Sequence, residues 1–213
     1  MAAIFDMDGV IIHSTPLHNQ SWEAYLARHG MDPSLVQERM HGLRNDDIVR
    51  DFFGADLSED AVHAHGAAKE RLYREMMAPV LEQHLVPGVR RILSEFGGIP
   101  MAVASNAETP NIDLVLDGAH LRGHFHEVID GHFVERPKPY PDIYLKAAEL
   151  LGVDPRNCIV FEDSLAGVEA ARAAGTRVVG LSTTLTGLPA VGLEIPDFND
   201  EALPQWLRGQ RAV

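Results

Sequence analysis

The first apolar run of the chain, Ala2 to Phe5, is too short for a helix and shows no alternation of polar and apolar positions, which is the pattern of a parallel strand buried on both faces. Past "DMDGVII" the period changes. In "HSTPLHNQSWEAYLARHG" the side chains of Leu17, Trp22, Tyr25 and Leu26 fall near one helical face, Thr15 is placed to cap, Pro16 suits a first helical position and Gly30 ends the run. Three further helical patterns follow, from Pro33 to about Met40, from Asn45 as cap to Gly54, and from Ser58 to Gln83. Residues 14–83 therefore read as helical throughout.

From "VPGV" at Val86 to Val89 onward, strand and helix patterns alternate. The strands are expected at Ile99–Ser105, His126–Asp130, Cys158–Phe161 and Arg177–Leu181, with helices near Asn111–Asp117, Pro141–Leu151 and Leu165–Ala174. Beyond Gly192 the tail predicts one more strand and a short helix. The resulting fold class is α/β: a doubly wound, Rossmann-like parallel-sheet core (1–13 and 84–213), interrupted after its first strand by a four-helix cap (14–83).

Charge narrows the partners. The 213 residues include 18 basic and 31 acidic side chains, a formal net charge of −13, and phosphate backbones and anionic lipid surfaces demand the opposite balance. No nucleic acid and no membrane is expected as partner. The single cysteine, Cys158, lies in an apolar run and reads as a small buried hydrophobe. No stretch approaches the roughly 18 apolar residues of a membrane span, and no basic region precedes the first apolar run, so the expectation is a soluble cytoplasmic protein. With no apolar stripe announcing an interface, it is expected to be a monomer.

Ligands of open α/β sheets bind beyond the carboxyl ends of the strands. The unusual polar residues of this chain stand at those ends: Asp6 and Asp8 after the first strand, Ser105 and Asn106 after the second, Glu162 and Asp163 after the one that begins at Cys158. Neighbouring strands are about 4.8 Å apart, so three ends can converge on one small anion. Four carboxylates in that space call for a cation, and magnesium suits them because it takes carboxylate oxygens and substrate phosphate together. Asp6 beside a metal can attack phosphorus, and Asp8 can protonate the leaving oxygen and then deprotonate water. Gly9 lets the backbone turn sharply just after them. Lys138 in "RPKPYPD" can neutralise the transferring group, while Ser105 and its neighbours hold phosphate oxygens. Taken singly, each feature has a plainer reading: an acidic turn, a helix cap, a solvated lysine, acids favouring a helix N-terminus. Their joint placement at strand ends is what points to chemistry.

With these residues in order, the sequence resembles the haloacid dehalogenase-like (HAD) superfamily, and within it the phosphatase and β-phosphoglucomutase-like subfamily with a helical cap. The family's motifs read here as "FDMDGV" with Asp6 and Asp8, "VASNA" with Ser105 and Asn106, "KPYPD" with Lys138, and "VFEDSLAGVEAARAAG" with Glu162 and Asp163. The resemblance implies transfer of a phosphoryl group through an aspartyl-phosphate at Asp6. It also implies Mg2+ held by the Asp6 side chain, the Asp8 backbone carbonyl and Asp163, with Glu162 assisting. A cis peptide before Pro139 is expected on the same ground and from the tight "PKP" turn.

The cap decides the substrate in this family. Its sugar-phosphate mutases carry a lysine before the glycine of a short turn and an arginine after it, where this chain has His41 and Asn45, with Arg44 one position away. His18 matches a family position linked to timing of the acid/base aspartate, with a surface helix histidine as its plainer reading, and Ser14 sits at the family's hinge position. His13 stands where many relatives have an acid. His63, His65, His124 and His126 lie away from the strand ends and read as surface histidines. The expected function is a phosphatase acting on a small phosphorylated metabolite such as a sugar or polyol phosphate. A β-phosphoglucomutase-like mutase is the alternative, and a phosphate-sensing binder without turnover is a third.

Overall fold

The computed structural model describes residues 1–34, 36 and 45–210. The chain divides into two compact units, Met1–His13 with Leu81–Val213, and Ser14–Val80. The second crossing between units thus falls at 80/81, where the sequence placed it at 83/84.

The first strand, β1, is Ala2–Phe5, and all four of its residues are buried. The inserted unit comes next, with α1 (Thr15–Arg28), α2 (Asn45–Phe53) and α3 (Glu59–Met77). These are the helices among the described residues of this unit, and the one expected near Pro33 to Met40 lies largely outside them. Three local expectations are corrected. Ser14, not Thr15, holds the N-cap position of α1, without a side-chain cap bond. Asn45 lies within α2, as its first described residue, rather than at its cap. The last helix stops at Met77 instead of running to Gln83: Ala78–Val80 tightens into a 3-10 turn, because Pro79 has no N–H to continue the ladder. Trp22, Tyr25 and Leu26 of α1, Ile48 and Val49 of α2 and Val62 and Leu72 of α3 form this unit's own core.

The other unit continues with α4 (Leu81–His84), read from the sequence as the end of the preceding helix, and α5 (Val89–Glu95), a short helix the pattern did not predict. Then come β2 (Met101–Ala104), α6 (Thr109–Gly118), β3 (Glu127–Ile129), α7 (Asp142–Leu150), β4 (Cys158–Glu162), α8 (Leu165–Ala173), β5 (Arg177–Leu181), β6 (Leu193–Ile195) and α9 (Ala202–Gln210). The strands make one sheet, order β3-β2-β1-β4-β5-β6, with every neighbouring pair parallel. The chain winds outward from β1 to β3, then crosses to β4 and winds to β6. The switch point lies between β1 and β4.

Alternation along the strands assigns two faces. Ala2 and Ile4 of β1, with Cys158 and Val160 of β4, pack with Tyr144, Ala147 and Ala148 of α7 and with Val168 and Ala171 of α8. Phe5 and Phe161 stack across the two strands with ring centroids 4.7 Å apart, in an aromatic cluster with Phe96 and Phe198. Among the described residues no helix is long and apolar enough to cross a membrane.

Candidate active site

The site begins where β1 stops pairing. Asp6 still donates its N–H to Phe161 O at 3.0 Å, so its backbone is tied to β4 while its buried carboxylate passes the strand end. Beyond it the chain folds on itself: the N–H groups of Ile11 and Ile12 both donate to Met7 O, at 2.8 and 3.1 Å, and Gly9 takes φ of +72°. A Cβ at Gly9 would lie 1.8 Å from Asp163 Oδ2. The glycine is therefore required twice, for the left-handed turn and for the space that Asp163 fills. Thr183, after β5, donates its hydroxyl to Gly9 O at 2.5 Å.

Glu162 ends β4 with the same parity as Cys158 and Val160, so it points toward α7. Its Oε1 accepts from Lys138 Nζ and from the Tyr144 hydroxyl, each at 2.7 Å. Its Oε2 accepts from Asp163 N, Ser164 N and Ser164 Oγ, at 2.9, 3.1 and 3.1 Å. Gly167, one turn into α8, leaves room for this carboxylate, since a Cβ there would come 1.7 Å from Oε1. Lys138 follows β3 in the loop before α7. Its peptide bond to Pro139 is cis, as expected, and its buried ammonium lies 2.6 Å from Asp6 Oδ1. Ser105 is buried after β2, its hydroxyl accepting from Ala107 N at 3.1 Å, whereas Asn106 is exposed and its Oδ1 makes a long, 3.4 Å contact with Lys138 N. Asp8 is half-buried.

Burial pushes Asp6 well above the ordinary carboxylate range; Lys138 opposes this, and the charges of Glu162, Asp163 and Asp8 add to it. Burial and the Glu162 charge push Asp163 up to about 7. Glu162 goes the other way. Its burial is outweighed by the Lys138 cation and by its hydrogen bonds, so it stays ionised. Burial likewise acts against the Lys138 charge, but Asp6 and Glu162 outweigh it and raise its pKa. Asp6, Glu162 and Asp163 each place an oxygen within 4.8 Å of the others. Two carboxylates whose pKa values are raised first by burial and then by their acidic neighbours fit a hard divalent cation.

In the helical unit, His18 is not a surface histidine. Its ring stacks on Tyr73 with centroids 3.8 Å apart, and its Nδ1 lies 3.0 Å from Lys69 Nζ. Burial, and then the Lys69 charge, pull its pKa down to about 3. Lys69 and Glu70 are both buried, 2.6 Å apart, and the Asn45 amide donates to Glu70 Oε1 at 2.5 Å. Sequence reasoning missed this pair, because adjacent opposite charges on a helix read as a solvated face. Ser14 is buried at the start of α1, while His41 and Arg44 lie outside the described residues. Of the four histidines read as surface residues, His63 and His126 are exposed and His124 is half-buried. His65 departs from that reading: it bonds the Tyr25 hydroxyl at 2.9 Å and stacks on Phe53 with centroids 4.0 Å apart. His13 is half-buried, with burial and then His84 lowering its pKa. Tyr144, read only as part of a helix, is the further site residue found by the structure. The signal available was a hydroxyl on the apolar face of α7, which needs a buried partner.

A doubly wound sheet with converging carboxylates and a buried lysine at its switch point defines an α/β protein with a carboxylate-lined ligand site at the strand ends. The sequence profile of the haloacid dehalogenase-like hydrolases matches residues 1–175, and the chain belongs to that family. It is 32% identical over 177 residues to fructose-1-phosphate phosphatase YqaB of Escherichia coli, covering 83% of this chain and 93% of that protein. It is 27% identical over 205 residues to the β-phosphoglucomutase of Bacillus subtilis, covering 91% and 87%. Among solved structures, an HAD hydrolase of family IA, variant 3, from Entamoeba histolytica superimposes with a TM-score of 0.88 at 27% identity, covering 99% of each chain.

Proposed function

We propose that this protein is a magnesium-dependent phosphatase of a small sugar or polyol phosphate, working through an aspartyl-phosphate on Asp6. The observation that carries this reading is the Asp6 carboxylate at the switch point, with Lys138 Nζ at 2.6 Å and the Asp163 and Glu162 oxygens within 4.8 Å. An Asp6 oxygen attacks phosphorus and the ester P–O bond breaks, with Asp8 giving its proton to the leaving alkoxide. Asp8 then takes a proton from water, the water oxygen attacks phosphorus, and the Asp6–phosphorus bond breaks to release inorganic phosphate. Lys138 neutralises the transferring oxygens, and Ser105 with Asn106 holds them. Asp6, Asp163 and the Asp8 carbonyl would hold Mg2+, which supplies the positive charge that keeps both carboxylates ionised and offsets charge on the phosphoryl group. Glu162, whose two oxygens are engaged by five protein donors, is assigned to Lys138 rather than to the ion.

In this reading residues 1–13 and 81–213 are the catalytic core, and the helical cap, 14–80, chooses the organic part of the substrate. The likeness to a fructose-1-phosphate phosphatase favours a phosphosugar or its reduced form. The likeness to a β-phosphoglucomutase supports the second reading, a mutase. Against it stands Asn45 where those mutases carry an arginine: its amide, bound to Glu70, is neutral and offers no cation to a second phosphate. The experiment is phosphate release from a panel of sugar, polyol and nucleotide monophosphates with and without Mg2+, run beside isomerisation of β-glucose 1-phosphate with trace bisphosphate. Mg-dependent release supports the phosphatase. Isomerisation without release makes it a mutase, and neither activity leaves the non-catalytic binder.

A further inference from the structure

Tyr144 is fully buried on α7, and the chemistry proposed above gives it no task. It bears on Lys138 in two ways. Its hydroxyl donates at 2.7 Å to Glu162 Oε1, the same oxygen that accepts from Lys138 Nζ at 2.7 Å, and its ring centroid lies 5.0 Å from Nζ. A carboxylate offers about four lone-pair directions, two on each oxygen. On Oε2 three donors from the Asp163–Ser164 turn crowd both. On Oε1 the tyrosine hydroxyl occupies one, so Lys138 has only the other.

An ammonium on a four-carbon stem is a compact, rotatable charge with no preferred fork geometry, and between two carboxylates its place is set by what each still has to offer. Here the fully buried Glu162 can accept one N–H from Lys138, and another is donated to Asp6 Oδ1, 2.6 Å away. The ring face of Tyr144 bounds the ammonium on a further side. We propose that Tyr144 is a positioning residue: by occupying half of Glu162 Oε1, it keeps the Lys138 ammonium on Asp6 instead of letting it settle on Glu162. This rests on the phosphoryl-transfer reading of the site.

Tyr144→Phe keeps the ring and the buried volume and removes only the hydroxyl, opening the second lone pair of Oε1 to Lys138. In Mg-dependent hydrolysis of p-nitrophenyl phosphate, kcat of Tyr144→Phe is expected to fall roughly tenfold, the scale of one hydrogen bond to a charged group, with KM and the Mg2+ half-saturation point within about twofold of wild type. In a Lys138→Met background the same change is expected to have no further effect on residual turnover, because the group it positions is gone. A crystal structure of Tyr144→Phe is expected to show Nζ drawn to Glu162 and out of hydrogen-bonding distance of Asp6. Unchanged kcat, an equal loss in both backgrounds, or an Asp6–Lys138 contact retained in the variant crystal each overturns the proposal. Wild-type turnover no greater than that of Asp6→Asn defeats the phosphatase reading instead, and the crystal then decides the positioning claim alone.

Discussion

The ammonium of Lys138 lies 2.6 Å from the Asp6 carboxylate, joining the end of β1 to the loop before α7. It is the buried counter-charge of both Asp6 and Glu162. Lys138→Met keeps most of the stem and leaves two acids facing each other. The expected cost is about 3–5 kcal/mol, the usual scale for breaking a buried pair by removing one partner. Thermal unfolding in EDTA measures it, and a melting temperature equal to wild type would show that the pair is not holding the core.

Asp6→Asn preserves size and leaves Lys138 its contact with Glu162. Turnover is expected to fall by roughly four orders of magnitude, with circular dichroism unchanged. Substantial residual hydrolysis would remove Asp6 from the nucleophile's role.

The two glycines that meet carboxylates predict different damage. Gly167→Ala brings a methyl group to 1.7 Å from Glu162 Oε1, within a helix that otherwise welcomes alanine. It is expected to lose most activity while destabilising the fold by only about 1–3 kcal/mol. Gly9→Ala adds backbone strain at φ +72° to its clash with Asp163, and is expected to lose more of both. Gly66 in α3, where an added methyl group would meet nothing within 4 Å, is the control. Gly66→Ala should raise stability by up to about 1 kcal/mol. Comparable activities for Gly167→Ala and Gly66→Ala would contradict the close approach of Gly167 to Glu162.

Asp163 carries a pH dependence whose sign follows from its raised pKa of about 7. Between the unfolded carboxylate value and 7 the metal-free fold binds more protons than the unfolded chain, so its stability is highest at the acid side and falls as pH rises through 7. Magnesium requires the ionised form, so apparent Mg2+ affinity is expected to drop about tenfold per pH unit below 7. Melting temperatures at pH 5.5 and 8, with EDTA and with Mg2+, test both: metal should stabilise at pH 8 and do little at pH 5.5. Equal stabilisation at both values would remove Asp163 from the metal site.

Much of this arrangement is visible in the chain because its signals are local. A four-residue apolar run followed by acid, as at Ala2–Phe5 and Asp6, marks a buried parallel strand and its ligand-facing end in one stroke. The strand at Cys158 is legible for the same reason, and the one at Arg177 from its apolar run alone. The end of α3 is also local, in Pro79, but lies inside a long periodic run that masks it. The features hidden from the sequence are those that depend on partners distant along it. Tyr144 looks like a core aromatic until β4 places Glu162 above it, and Lys69 beside Glu70 looks solvated until α1 and α2 supply His18 and Asn45.

The central position of β1 and β4 in the sheet has a consequence for breathing motions. Strands at a sheet's margins, here β3 and β6, can fray without disturbing those between them. The amide of Asp6, bonded to Phe161 O, sits on the innermost pair. Its deuterium uptake should therefore track global unfolding, whereas the amides of the marginal strands exchange through local openings, so the Asp6 backbone is held in place for as long as the core itself survives.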